Sequence, residues 1–334
     1  MHWLQHHWYR ITPLHLILFP ISLVFRALVA LRRELYRSGI LTSHKLNIPV
    51  IVVGNISVGG TGKTPLTLAL AQQLIERGWH PLIVSRGYGR TISSSQPVIL
   101  SSTAAQVGDE PLLMAGRDIC PVWVGADRVA AAHAALQANP ECDVVLCDDG
   151  LQHYRLQRDV EIAVIDGALR YGNGLMLPAG PLREPISRLQ TVDAVVVNGG
   201  GAAMGQYAMR LTGGVFYNLQ NPSQVATPAD FHKPTPDSHK PKIHAVAGIG
   251  HPQRYFQHLE TLGIPFTPHS FPDHHPYRAA DLSFTECDAI LLTEKDAVKC
   301  AAFADARYWV LRVDAQIDPA LIDHILRKIA PHGH

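Results

Sequence analysis

Cysteine is scarce in this 334-residue chain: Cys120, Cys142, Cys147, Cys287 and Cys300 are scattered, with no C-x-x-C pair. That pattern excludes a disulfide framework and a thiolate zinc site. An odd number of thiols in or beside apolar segments points to reduced, packed cysteines in a cytosolic compartment. Charge is also sparse, at 17% of residues with a net of +1, so nothing electrostatic argues for a nucleic-acid partner. No apolar run is long enough for an ordinary membrane span of about 20 residues. The Gly248-x-Gly250 pair lacks the third glycine of a dinucleotide site, which argues against a nicotinamide cofactor. No repeat of short period is visible. The one compositional break lies over residues 221–241, where five prolines mix with Ser, Thr, Asp and His. It reads as a junction between two domains, and the length suffices for both.

The apolar stretch nearest to a span is residues 14–25, interrupted by Pro20 and followed by Arg32, Arg33 and Arg37. It is too short to span, and a weak cleavage pattern makes it a poor secretory signal. An amphipathic helix over residues 1–40, lying in a membrane interface with arginines, Trp3, Trp8 and Tyr9 at the headgroups, fits better. A buried or dimer-forming helix is the alternative.

The chain is organised around residues 48–64. A short buried strand over 50–53 runs into a glycine-rich turn, Ser57-Val-Gly-Gly-Thr-Gly-Lys-Thr64, and a helix follows with apolar residues at Leu66, Leu70 and Leu74. This is the anatomy of a phosphate-binding loop. Backbone N–H groups of Ser57, Val58, Gly59, Gly60, Thr61 and Gly62 would cradle phosphate oxygens, Lys63 would reach the outer phosphates, and the Thr64 hydroxyl would ligate Mg²⁺. In G-x-x-x-x-G-K-[ST] the first position falls here on Ser57. Downstream, residues 143–147 form an apolar strand ending in Asp148 and Asp149, the form of an element whose carboxylates hold Mg²⁺ beside the phosphates.

Further strands are expected over 81–85, 98–100, 122–124, 160–165 and 192–198. Helices are expected over 110–117 and 126–138. Strands alternating with helices imply a parallel, doubly wound sheet. A strand pair is expected over 207–219 around Gly213-Gly214. Beyond the junction a βα pattern restarts at 242–250, with a helix near 253–262, strands at 289–293 and 308–313, and a closing helix at 319–329. The layout is therefore an N-terminal helix (1–40), a phosphate-loop domain (41–220) and a smaller α/β domain (221–334), whose final helix is free to pack back on the first. Residues 173–185 are too rich in proline and glycine for regular structure; such loops are usually surface connections, but one this apolar near the sheet's active edge could equally shape a substrate pocket.

With these pieces in place, the chain resembles the tetraacyldisaccharide 4′-kinases of lipid A synthesis. The resemblance rests on residues 53–65, Ser85-Arg-Gly-Tyr-Gly-Arg90, Gly108-Asp-Glu-Pro111, Val124-Gly-Ala-Asp-Arg128, Asp148-Asp-Gly-Leu-Gln-His153, residues 177–185, residues 247–250, Phe271-Pro-Asp-His274 and residues 292–299, in order across nearly the whole chain. It implies ATP- and Mg²⁺-dependent phosphorylation of the 4′-hydroxyl of an acylated disaccharide 1-phosphate, at the cytoplasmic face of the inner membrane. It also implies Asp109 as catalytic base with His274 as its partner, and Asp148 and Asp149 as metal ligands. Arg86, Arg90, Arg128, Gln152 and His153 are candidates for substrate contact. The competing readings are a membrane-associated switch ATPase of the partitioning type and a non-catalytic glycolipid-binding module. The first is disfavoured by Val58, where such proteins carry a signature lysine, and the second by the phosphate loop with its carboxylates.

Overall fold

A computed structural model describes residues 7–9, 12–91, 94–99, 101–233 and 240–330. Trp3, Leu100 and part of the proline-rich junction lie outside the described residues. In chain order the helices are α1 (His15–Arg37), α2 (Lys63–Ile75), α3 (Ala104–Val107), α4 (Asp109–Gly116), α5 (Arg128–Ala138), α6 (Pro252–Thr261), α7 (Glu294–Cys300) and α8 (Pro319–Ile329). The strands are β1 (Val50–Gly54), β2 (Pro81–Ser85), β3 (Gln96–Pro97), β4 (Val122–Val124), β5 (Val144–Asp148), β6 (Val160–Asp166), β7 (Ala194–Asn198), β8 (Tyr207–Asn218), β9 (Val225–Ala226), β10 (Ile243–Ala247), β11 (Thr267–Ser270), β12 (Ala289–Thr293) and β13 (Tyr308–Ile317).

Among the described residues all thirteen strands join one sheet, in the order β11-β10-β12-β13-β8-β7-β6-β1-β5-β2-β4-β3, with β9 on β8. The uninterrupted apolar runs of β1 and β5 mark strands covered on both faces. Because side chains alternate along a strand, Ile51 and Val53 of β1 meet Leu66, Leu70 and Leu74 of α2, while Val50 and Val52 meet Ala131, Ala132 and Ala135 of α5. The last helix returns to the first of these layers, with Leu321, Ile322, Ile325 and Ile329 in the same core as α2. A second pair of layers covers β10 and β12, with Phe256 and Leu259 of α6 on one face and Ala297 and Cys300 of α7 on the other.

The sheet is largely parallel, but β3/β4, β8/β9 and β8/β13 are antiparallel. The expected strand pair around Gly213-Gly214 is instead a single 12-residue strand, β8, paired along β13. The register shifts there, so that Gly213 and Gly214 stand opposite one residue, a β-bulge. A Cβ at Gly213 would lie 2.7 Å from the carbonyl of Arg312. Gly213 therefore serves a close backbone approach, and the pair marks a bulge rather than a reversal. The strand expected over 98–100 sits earlier, at Gln96–Pro97, where the antiparallel register with β4 places it. The helix expected from 126 starts at Arg128, because the Asp127 carboxylate caps the N–H groups of Val129 and Ala130.

Helix α1 runs through Pro20 without a break for 23 residues, so by length and composition it can cross a bilayer, contrary to the shorter run expected. One side docks on residues 173–185. Ser22 Oγ donates to the Met176 carbonyl at 2.8 Å, and Phe25 and Val29 pack beside Met176 and Leu182. The other side leaves Leu16 and Ile17 82% and 68% exposed, with Val24, Leu28 and Leu31 beside them. Trp8, expected at headgroups, is buried and donates its indole N–H to the Pro178 carbonyl at 3.0 Å.

Candidate functional site

The loop between β1 and α2 is held from three sides. Asn55 Nδ2 donates to Thr61 Oγ1 at 3.2 Å, Asn198 Nδ2 at the end of β7 donates to the Thr61 carbonyl at 3.0 Å, and Val58 N donates to the Pro181 carbonyl at 2.9 Å. Gly59 and Gly62 take φ of 103° and 95°, which glycine adopts without strain. Ser57 does not appear among the positive-φ residues, so the first position of the motif needs no glycine here. Lys63 then opens α2 directly after Gly62. The N-terminus of this helix points its unpaired N–H groups and partial positive charge into the loop, an anion-binding arrangement.

Asp148 and Asp149 end β5, and their environments differ sharply. Asp148 is buried and accepts from Thr67 Oγ1 at 3.1 Å. Burial, with Glu110 and Asp149 adding like charge, raises its pKa to about 7 against the opposing pull of Lys63 and Thr67. For Asp149 burial also acts upward, but Lys63, Arg183 and Arg128 outweigh it and hold the carboxyl at about 2. Lys63 Nζ lies 3.5 Å from Asp149 Oδ1, and Arg183 Nη1 lies 3.3 Å from both carboxylate oxygens. These oxygens, with the Thr64 hydroxyl, form a hard donor set. Among the described residues no group of three or more His, Cys, Asp or Glu side chains could cage an ion. That suits Mg²⁺, which takes one or two carboxylates and completes its shell with water and substrate phosphates.

Asp109 and His274 come together from opposite halves of the sheet. Asp109 is the first residue of α4, after Gly108 at φ 93°. A Cβ at Gly108 would meet the Gly87 backbone at 3.0 Å, and one at Gly87 would meet the Val107 carbonyl at 2.5 Å. The glycines of 85–90 and 108–111 thus let two segments touch and bring Asp109 over the strand ends. His274, from the segment after β11, takes φ 60° and places Nδ1 2.9 Å from Asp109 Oδ2.

One cleft of about 1090 Å³ collects these groups: Lys63, Thr64, Asp149 and His274 all border it. Ligand pockets commonly measure about 300–1,000 Å³, so the space is generous for one small molecule. Arg86 and Gln152 also border it, the latter donating to the Asn55 carbonyl at 2.9 Å. Arg128 turns inward instead. It is buried and donates to the backbone carbonyls of Asp148 and Asp149, at 3.3 and 2.6 Å. His153 stands behind the same strand end, where burial and the positive Arg128 lower its pKa to about 4. Arg90 donates to the Ser94 carbonyl at 2.9 Å. Arg183, Glu110, Asn198, Asp273 and Lys295 border the cleft without having been singled out from the sequence. Residues 173–185 form one wall. Arg183 N donates to the Ile56 carbonyl at 2.7 Å, and buried Glu184 accepts from the Tyr154 hydroxyl and pairs with Arg188 at 3.1 Å.

Comparison with known proteins agrees with this architecture. The family profile described as tetraacyldisaccharide-1-P 4'-kinase matches residues 14–330. The tetraacyldisaccharide 4'-kinase of Methylobacillus flagellatus is 48% identical over 327 residues, covering 98% of this chain and 96% of that protein. That of an Azoarcus species is 48% identical over 333 residues, covering 98% and 95%. A crystal structure of the "apo" form of LpxK from Aquifex aeolicus in complex with ATP superposes with a TM-score of 0.77 at 28% identity, over 93% of this chain and 98% of that one. With a profile match over almost its full length and relatives near half identity end to end, this chain belongs to the tetraacyldisaccharide-1-P 4'-kinase family.

Proposed function

We propose that the protein transfers the γ-phosphoryl group of ATP to the 4′-hydroxyl of a tetraacyldisaccharide 1-phosphate, the reaction named by its relatives. The observation that carries the site assignment is the 2.9 Å contact between Asp109 and His274, whose ring borders the same cleft as Lys63 and Thr64. A sugar hydroxyl is a weak nucleophile at neutral pH. As its oxygen bonds to the γ-phosphorus and the bond to the β–γ bridging oxygen breaks, its proton passes to the Asp109 carboxylate and ADP departs. His274 holds that carboxylate. Lys63 and the N–H groups of residues 57–62 balance the charge on the phosphoryl oxygens.

Thr64, Asp148 and Asp149 would hold Mg²⁺, which when bound neutralises charge on the β- and γ-phosphates. Arg86 and Gln152, facing the cleft, are the candidates for contact with the acceptor or the nucleotide. In this reading residues 41–220 supply the phosphate loop and 221–334 bring His274. Helix α1 rests its exposed apolar side in the membrane interface on the cytoplasmic face, where ATP is present. The exposed leucines and isoleucine, with Arg26, Arg32, Arg33 and Arg37 at its later turns, support that placement.

The test is transfer of label from γ-labelled ATP. Label should appear on a tetraacylated disaccharide 1-phosphate in mixed micelles and not on a soluble sugar. Transfer to neither, by folded protein, would refute the assignment.

A further inference from the structure

Lys295 sits where the segments carrying Asp109 and His274 meet. Its Nζ lies 3.1 Å from Asp273 Oδ1, 3.3 Å from Glu110 Oε1 and 3.3 Å from His274 Nε2. Glu110 follows Asp109 and Asp273 precedes His274, so one ammonium touches a neighbour of each partner and the imidazole itself. The side chain is fixed at its root. Lys295 is the second residue of α7, whose N-cap Thr293 accepts from Asp296 N at 3.1 Å, and Glu294 beside it pairs with Arg117 at 2.7 Å. Burial opposes the charge on Lys295, but Glu110 and Asp273 outweigh it and raise the pKa, so the cation is retained.

An ammonium offers three N–H donors and no lone pair, so His274 Nε2 must accept from it. The ring proton then resides on Nδ1 and donates to Asp109 Oδ2. Two other groups face this ring: the Asp273 carboxylate, 3.8 Å from Nε2, and the Tyr88 ring at 5.6 Å between centroids. Without the lysine, Asp273 would be the charged group left beside Nε2. An ionised carboxylate only accepts, so it would favour a proton on Nε2 in competition with the 2.9 Å Nδ1–H bond to Asp109, and the single neutral tautomer would no longer be enforced.

We propose that Lys295 is a positioning residue for phosphoryl transfer: it fixes His274 as the Nδ1–H tautomer and so holds the Asp109 carboxylate in place for the acceptor's proton. This rests on the reading of Asp109 and His274 given above.

The experiment uses the full-length protein in mixed micelles. Nitrogen-15 NMR of the imidazoles, with His274→Ala to identify the signal, reads the tautomer directly. Steady-state kinetics with ATP and the lipid acceptor then compare Lys295→Met and Lys295→Arg, alone and combined with His274→Ala. The wild-type ring should carry its proton on Nδ1 alone, and Lys295→Met should let a proton reside on Nε2 as well. That variant should lower kcat by about 10- to 100-fold, a loss on the scale of a mispositioned base, with KM for ATP little changed. Lys295→Arg, still a cationic donor, should keep the Nδ1–H ring and more of the activity. On the His274→Ala background the lysine change should add little.

An Nε2–H ring in the wild type would overturn the proposal, and this readout needs no variant to fold. Equal losses with and without His274 would also overturn it, as would a raised KM for ATP at unchanged kcat, which would mean contact with the nucleotide. The ring proton is observed without turnover. A wild-type protein with an Nδ1–H ring and no label transfer would refute the kinase assignment, and the positioning role with it.

Discussion

A single hydrogen bond, from His274 Nδ1 to Asp109, joins residues 165 positions apart. If the two act as one unit, Asp109→Asn should leave ATP binding intact and lower kcat by about 10² or more, the scale of a lost general base. His274→Ala should cost less, and the double variant should be far less impaired than the product of the single losses; the measurement is a kinetic double-mutant cycle. Strictly multiplicative losses would send the proton elsewhere. The proposed site residues that the sequence suggests by itself are those whose chemistry is local. Lys63 and Thr64 follow a glycine turn, and Asp148 and Asp149 end an apolar run. Arg183 and Lys295 carry no such signal, because the partners that give them meaning, Asp149 and His274, are distant in the chain. Arg128 illustrates the converse. Its place beside a recognisable motif suggested a substrate contact, yet the side chain folds back onto the Asp148 and Asp149 carbonyls, a choice made by packing that no spacing records.

At the scale of elements, burial pattern carried most of the information. The parallel strands β1 and β5 at the centre are near-continuous apolar runs, whereas β8 is a long strand of mixed burial whose paired glycines imitate a turn. Only its partner β13 explains them, and that pairing spans about a hundred residues of chain. Helix α8 was expected as a closing helix, and its four apolar residues enter the same core as α2. Ile325→Ala should therefore destabilise the nucleotide-binding half by about 2–5 kcal/mol, the range for a large-to-small change at a fully buried site. Chemical denaturation with and without ATP would show it. A change under about 1 kcal/mol would mean that α8 is peripheral. For α1, removing residues 1–37 should shift the folded protein from membranes to the soluble fraction, because apolar burial at about 25 cal/mol per Å² is lost with the arginines beside it. Fractionation that does not change would place the anchor elsewhere.

Across the whole molecule the sheet is continuous from β3 to β11, and Arg117 bolts its halves together. The guanidinium, at the end of α4, pairs with Glu294 and Asp314 at 2.7 Å each and donates to the Val313 carbonyl at 2.6 Å. Burial raises the Glu294 pKa against the pull of Arg117, so an unpartnered Glu294 would be costly to leave charged. Arg117→Met should cost about 3 kcal/mol or more, the scale for breaking a buried pair, and Arg117→Met with Glu294→Gln should recover part of it. Thermal unfolding of the four proteins decides, and full additivity would remove the pair from the account. Helix α1 enters this picture from the side, because Phe25, Val29 and Arg32 line the same cleft as Lys63. If α1 rests in a bilayer as proposed, its wall opens that cleft onto the lipid leaflet rather than onto bulk water. On that placement the acceptor would arrive by lateral diffusion, and what the enzyme would sense is its mole fraction in the surface, not its molarity. At constant bulk acceptor, diluting mixed micelles with inert detergent should slow the reaction in step with the falling surface fraction, while ATP dependence stays tied to solution concentration. A rate indifferent to such dilution would mean that the lipid is taken from water.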